Sequence, residues 1–259
     1  EGIYFTAYNI QGAYPVFGNT LSAITFLFLI LIPVLTMKTL AEERRQKTDQ
    51  MLFTSPVSVE NIVLGKYLAL VTVYMIPVFV ICFYPLIMSK YGTVSYAMAY
   101  TAILGFAFMG FAELSIGVFI SSLTENPVIA AVVGFLVLFV CFMSEGIGSL
   151  VAETSVTSLA IYMVMVAAAA YLIYYMIKNV LIPLIIGLAG EIVLVVLYIV
   201  DSTRFEGSFQ DFLTIFDITS HFDNFTNGIL DIQGLIYFLS IIVIFLFLTI
   251  QSIKKRRWS

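Results

Sequence analysis

Seven apolar runs, each close to the length of a bilayer-crossing helix, recur along this chain at residues 21–39, 67–88, 97–120, 128–145, 157–177, 180–200 and 235–251. A hydrocarbon core of about 30 Å takes roughly 20 apolar residues per helical span. Inside it, backbone N–H and C=O groups find no water, so only helices and closed barrels can cross. None of the seven runs alternates polar and apolar residues as barrel strands do. The sequence therefore predicts an all-α fold, a polytopic transmembrane helical bundle of seven spans in one domain over 1–259. Composition agrees: 61% of residues are hydrophobic and 11% charged, against about 45–50% and 25% in soluble domains. The formal net charge is −4, so lipid is expected as a partner and nucleic acid is not.

Pro33, Pro77, Pro85 and Pro183 lie in or near the runs and are expected to kink them. Cys82 and Cys141 sit within apolar runs and read as small buried hydrophobes, not as a disulfide or metal pair. Residues 1–20 are aromatic and interrupted by Gly and Pro, which predicts an interfacial loop. No signal-peptide pattern precedes Leu21.

Lys and Arg set the sidedness. If residues 40–66 face the cytoplasm, then Lys38, Arg44, Arg45, Lys47, Lys66, Lys178, Lys254, Lys255, Arg256 and Arg257 share that side, and only Lys90 and Arg204 lie opposite. This parity places Glu1 outside, so one further span, or an odd number of them, is expected before it.

The stretch AEERRQKTDQMLFTSPVSVENIVLGK, residues 41–66, holds eight of the 28 charged residues. Glu43 and Lys47 stand i,i+4, a favourable order on a helix, with Leu40, Met51 and Leu52 on an apolar side. Pro56 should end that helix, because the residue before a proline resists the α conformation. Ser58 is then an N-cap, with Glu60 in the first turn of the helix that enters the membrane. The segment reads as an elbow over 40–66: either a solvated connection or a docking element for a soluble partner.

No catalytic, cofactor-binding or metal-binding residues are assigned. His221 is the one histidine, which excludes an HExxH site. The tripeptide Leu64-Gly65-Lys66 is no phosphate loop, since Glu60 stands where the first Gly belongs and Tyr67 where Ser or Thr does. If the chain uses ATP, a partner binds it.

The run Glu43-Arg44…Thr48-x-Gln50-x-Leu52-x-x-Ser55-Pro56-Val57-Ser58…Leu64-Gly65-Lys66 resembles the coupling segment of type-2 ABC transporter permeases. Lys47 stands where that family usually has Gly, and Gln50 where it usually has Glu. Ser121-Ser122-Leu123-Thr124-Glu125-Asn126 is a second match. HFDNFTNGILDIQGLIYFLS with the terminal RRW is similar to the gliding-motility-type subgroup. The resemblance implies a permease subunit that pairs with a second permease, a copy or a related chain, and with two cytoplasmic ABC ATPase subunits. ATP and Mg would sit in those subunits, and none in this chain. It also implies that Glu43, Arg44, Arg45, Lys47, Thr48, Gln50, Leu52, Ser55, Pro56 and Glu125 serve the coupling. The setting implied is a bacterial inner membrane and outward movement of a lipid, peptide or similar cargo. Such permeases usually have six spans, so 156–200 reads as an additional hairpin.

Glu113 and Glu191 lie within predicted spans, where an ionised carboxylate is expensive. Each is either a protonated, hydrogen-bonded link between helices or a substrate- or proton-sensing group; Glu113 is also near enough to its span's end to reach the interface. Residues 201–234 form an acidic external segment. There Phe205, Phe209, Phe212 and Phe216 recur at helical spacing, which predicts an amphipathic helix or pair, packed on the spans or shaping an outer exit. His221 beside Asp223 could titrate or bind metal. Asn224-Phe225-Thr226 fits a glycosylation sequon, without meaning in a bacterial protein. Ala130 and Gly134, four apart, allow close helix approach. A secondary transporter or channel is the alternative; it would show ionisable residues through several spans and repeat symmetry. A membrane enzyme would show catalytic pairs. Neither pattern is present.

Overall fold

The computed structural model describes residues 2–12, 16–48, 57–177 and 181–257. All regular structure among them is helical. The helices are α1 (Gly2–Phe5, continued by a π-helical turn Thr6–Gln11), α2 (Phe17–Thr36), α3 (Ala41–Arg45), α4 (Val59–Ile81), α5 (Tyr84–Met88), α6 (Tyr96–Leu123), α7 (Pro127–Leu150), α8 (Ser155–Ile177), α9 (Leu181–Val200), α10 (Ser208–Thr214), α11 (Ser220–Thr226) and α12 (Ile232–Arg257). Among the described residues, six helical stretches are long and apolar enough to cross a membrane, and α8 adds a shorter apolar stretch, Ser155–Tyr171. The all-α polytopic reading therefore holds.

The run 67–88 lies in one stretch, Val59–Met88, long and apolar enough to cross, and it is interrupted near Pro85 as expected: α4 stops at Ile81 and α5 begins at Tyr84. Pro85 explains the break, because it offers no N–H to the Ile81 carbonyl and its ring collides there. Residues 2–11 are helical and not a loop. Their aromatic side chains find a packing surface: Phe5 is buried, stacks on Tyr84 at 4.4 Å and meets Phe17 edge-on at 6.3 Å. The Thr20 hydroxyl donates to the Asn9 side chain, so that buried amide is not left bare.

The chain divides into two compact units, Glu1–Phe142 with Ile218–Ser259, and Met143–Asp217. In the first, α6 is the central element. Phe106, Met109, Leu114 and Val118 are fully buried. A helix apolar all round belongs in the middle of a bundle. Between helices in lipid there is no hydrophobic driving force, so association depends on close packing and hydrogen bonds. Glycines supply the approach. A Cβ at Gly110 would stand 2.3 Å from the Tyr74 ring, and one at Gly117 2.3 Å from Thr36 Oγ1. The Tyr74 and Tyr67 hydroxyls donate to the Phe106 and Phe111 carbonyls at 2.9 and 3.0 Å. Gly134, read from sequence as a close-packing position, lies against Pro33 of its own chain, with 3.3 Å between a built Cβ and the proline ring.

In the second unit α8 and α9 form a tight hairpin. Gly187 and Gly190 face Ala170 and Val166, leaving 3.0 and 2.9 Å for an added Cβ. The single helical face expected for Phe205, Phe209, Phe212 and Phe216 is not formed. A 3₁₀ turn ends at Phe205, Gly207 adopts φ +70°, and α10 ends at Thr214. Glycine takes that left-handed conformation without the Cβ clash that would strain other residues. Phe205, Phe209 and Phe212 nevertheless meet one ring, Tyr162, at 6.3, 6.4 and 6.4 Å. The Tyr162 hydroxyl donates to the Ser208 carbonyl at 2.8 Å.

Candidate functional site

The elbow follows α2 through a turn at residues 37–40 and consists, in its described part, of α3 and the residues to Thr48. A helix this short leaves its first N–H groups without intrahelical partners. No neighbouring side chain caps α3. Ser121, in the last turn of α6, does so instead: its Oγ accepts the N–H groups of Leu40 and Ala41, both at 3.1 Å, and donates to the Met37 carbonyl at 3.2 Å. Arg44 reaches the same end of α6, donating to the Leu123 carbonyl at 3.3 Å and pairing with Glu125 at 2.7 Å. Lys66 of α4 donates to the Thr39 carbonyl at 2.8 Å and pairs with Glu43. Lys254 of α12 pairs with Glu60 of α4. The basic residues that sequence placed on one side thus gather, where described, at one end of the first unit.

The expected Glu43–Lys47 helical pair is not made. Lys66 takes Glu43, α3 ends at Arg45, and Lys47 sits at φ +58°. A left-handed residue cannot continue a right-handed helix, and for a lysine it costs about 1–2 kcal/mol. Lys47→Gly is therefore expected to stabilise the elbow by up to about 1 kcal/mol, offset in part by the unfolded-chain entropy glycine adds. Amide exchange of Gln46–Thr48 in the wild type and the variant checks it, and faster exchange in the variant would contradict it.

Of the residues singled out for coupling, Glu43 and Arg44 turn inward to partners on α4 and α6, whereas Arg45, Lys47 and Thr48 are exposed. Glu125 joins Arg44. Gln50, Leu52, Ser55 and Pro56, with the expected break at 54–56 and the Lys178–Asn179 turn, lie outside the described residues. Ser58 caps α4 as expected, its Oγ accepting the Asn61 N–H at 3.3 Å. Sequence reasoning missed Ser121, although the SSLTEN motif contains it; a polar residue at the end of an apolar run was the available signal.

Glu113 is 7% exposed, and its Oε2 has no hydrogen-bond partner among the described residues. The interface reading is overturned. Glu113 follows Gly110 by three residues and precedes Gly117 by four, so it shares their face, which packs on α4 and α2. A buried polar atom left unpaired costs about 1–3 kcal/mol. Glu113→Met, close in volume, is thus expected to stabilise by about that much, read as the SDS-unfolding midpoint in mixed micelles. A loss of stability would mean that the carboxyl has a partner. Glu191 lies in the second unit, half-buried beside Gly190.

At the other end of the first unit, α11 carries Phe222 and Phe225, both fully buried. Three helices open a glycine to α11: a Cβ at Gly18 would meet the Thr226 carbonyl at 2.5 Å, at Gly105 the Phe225 ring at 2.5 Å, and at Gly234 the same ring at 2.8 Å. His221 stacks on Tyr237 at 3.8 Å and 7°; among the described residues no group of three or more metal-ligating side chains forms. Asp231 accepts the Asn224 side-chain amide at 2.7 Å and the Gln233 N–H at 2.9 Å. The Asn224 hydrogen bond above all holds its carboxyl below the usual range.

A family model described as ABC-2 family transporter protein matches residues 4–250. No curated protein matches the chain, and no solved structure does.

Proposed function

This chain belongs to the ABC-2 family of transporter proteins, and from that premise we propose that it is the permease of an ATP-binding cassette exporter in a bacterial inner membrane. As a family member with many apolar helices, it is a multi-pass membrane subunit of an ABC transport system. In our reading two cytoplasmic ATPase subunits bind ATP and Mg and seat on the elbow, residues 41–58. A second permease, a copy or a related chain of the gliding-motility type, completes the pathway, and the cargo is lipid-like or a peptide and moves outward. This chain does no chemistry itself; it receives movement and transmits it.

The supporting observation is the division of labour in the elbow. Glu43 and Arg44 are tied to the chain's own helices, while Arg45 and Lys47 are exposed and Thr48, also exposed, donates its hydroxyl to the Glu43 carbonyl. An exposed basic edge on a braced turn suits an acidic groove on a soluble partner, where charge governs encounter and register. The test compares two charge reversals in the chain co-expressed with an ABC ATPase from the same organism. Arg45→Glu is expected to abolish co-purification of the ATPase and its ATP turnover in the complex. Arg44→Glu is expected to be repaired by Glu125→Arg, since that contact is internal. Full association and turnover in Arg45→Glu would sink the docking site, and absence of any ATPase-dependent turnover in the wild-type complex would sink the exporter.

A further inference from the structure

We propose that Ser121 is a positioning residue for transport: the joint through which movement of the elbow is passed to α6. The proposal rests on the ATPase-driven reading above and deepens it by naming where the force enters the bundle.

The elbow is joined to α2 by the chain, so α2 is the obvious recipient of its movement. The hydrogen bonds point elsewhere. The Ser121 hydroxyl is fully buried and uses its whole capacity, one donated and two accepted bonds, on the turn that leads into the elbow and on the elbow's start: the Met37 carbonyl at the end of α2 and the Leu40 and Ala41 N–H groups. A serine oxygen has one proton and two lone pairs, so no capacity remains for a bond to its own helix. Serines in the same helix behave otherwise: Ser115 and Ser122 donate back to the Ala112 and Phe119 carbonyls, each at 2.6 Å. Two of the Ser121 bonds satisfy amides that open α3 and have no local cap. Helix caps are normally supplied by the adjoining residue; this one comes from a different helix, 80 residues away from Ala41 in sequence. Moving the elbow off α6 would strand the buried Ala41 N–H, the half-buried Leu40 N–H and a carbonyl at once, so the two pieces move together or not at all.

Two further contacts keep the joint from pivoting. Arg44 holds the far end of α3 to the Leu123 carbonyl and Glu125. Thr36 fills the space over Gly117, one turn deeper than Ser121. The Arg44 pair is partly open to solvent, at 24% and 63% exposure, and such pairs contribute little alone. Ser121, dry and saturated, is the firm point. Because α2, α4, α11 and α12 all pack on α6, displacement of this one helix is passed to four others.

The experiment uses the full chain with its ATPase in nanodiscs, in a background where Cys82 and Cys141 are replaced by serine. One pair of spin labels joins Lys47→Cys on the elbow to Leu136→Cys on α7; a second joins Leu104→Cys on α6 to the same α7 position. Distances are measured without nucleotide and after trapping ATP with vanadate. In the otherwise native complex both distances are expected to shift. With Ser121→Ala, the elbow distance should still shift and the α6 distance should lose its shift. An α6 shift that survives Ser121→Ala at full size overturns the proposal. A native elbow that does not move overturns the ATPase reading, and the joint with it. Should Ser121→Ala fail to fold, the native sequence provides the second arm. Arg44→Cys and Glu125→Cys, bridged by a short bifunctional thiol reagent, lock the elbow to α6. ATP turnover in the bridged complex equal to that of the same double-cysteine complex before bridging is expected if the two move as one, and turnover abolished by the bridge itself would show that they must slide and would overturn the joint.

Discussion

Phe225→Ala is expected to destabilise the protein by about 3–5 kcal/mol, the range for truncating a buried aromatic residue. Phe225 is fully buried in α11 and occupies space that two other helices leave open, at Gly105 of α6 and Gly234 of α12. It also lies 6.3 Å from the Phe238 ring. Truncation leaves a cavity that α6 and α12 cannot close, because each is held by other contacts along its length. The two glycines separate this account from a general sensitivity of the region. In the wild type, Gly105→Ala and Gly234→Ala should each destabilise. In the Phe225→Ala background Gly234→Ala should destabilise less than in the wild type, since the ring atoms it would have met are gone and only the His221 carbonyl, at 3.1 Å, must still give by a few tenths of an ångström. Gly105→Ala should still destabilise, because the Cβ of residue 225 stays 2.6 Å away. Equilibrium unfolding in mixed micelles measures all of these. A loss below about 1 kcal/mol for Phe225→Ala would show that the site collapses freely, against the rigid socket described here.

Much of this fold was legible because lipid removes options. Seven apolar runs without alternation leave helices as the only spanning form, and six of the seven overlap a stretch long and apolar enough to cross, with ends that differ by up to eight residues. What local pattern could not supply was the partner of each side chain. The i,i+4 spacing of Glu43 and Lys47 is a real helical signal, but Lys66, 23 positions after Glu43, reaches the same carboxylate and the backbone turns left-handed at Lys47. The phenylalanine period in 205–216 was likewise real. It describes a cluster around Tyr162 that survives the break at Gly207, not a continuous helix. One of the readings open for Glu113, that it reaches the interface, fails for a related reason. Distance from a helix end says how far a side chain must reach, whereas its fate depends on which neighbours occupy its face. In the elbow, residue types and motif were readable, and Arg45, Lys47 and Thr48 are exposed as a docking edge requires. The brace behind them, Ser121 and Lys66, depends on contacts between spans that no single run encodes. Glycines were the underused signal. Gly18, Gly105, Gly110, Gly117 and Gly234 each mark a close approach of another element, and a glycine within an apolar span is already conspicuous in sequence.

Gly117→Val, at another of these close approaches, is expected to destabilise by about 3 kcal/mol, the upper part of the range for overpacking. A valine would push its Cβ and two methyl groups into Thr36. That residue cannot swing away without giving up the hydrogen bond from its Oγ1 to the Ile32 carbonyl, at 2.9 Å. Valine is a slightly better helix former than glycine, by a few tenths of a kcal/mol, too little to reverse the sign. Thr36→Ala in the same chain removes the atoms 2.3 and 2.8 Å from the built Cβ, the Oγ1 and Cγ2, but leaves the Thr36 Cβ at 2.9 Å. The double variant should therefore recover part of the loss and never all of it. Residues in contact commonly show interaction energies of about 0.5–3 kcal/mol, which a double-mutant cycle isolates. Strictly additive effects of the two changes would mean that α2 and α6 are not pressed together at this point. Where the contact does hold, the wedge has a second consequence, for it lies one turn from Ser121. Separating α2 from α6 there draws the Leu40 and Ala41 amides away from the serine that caps them, so faster amide exchange in Leu40–Arg45 should accompany the lost stability. In Thr36→Ala alone, which adds no atoms, that exchange should stay close to the native rate.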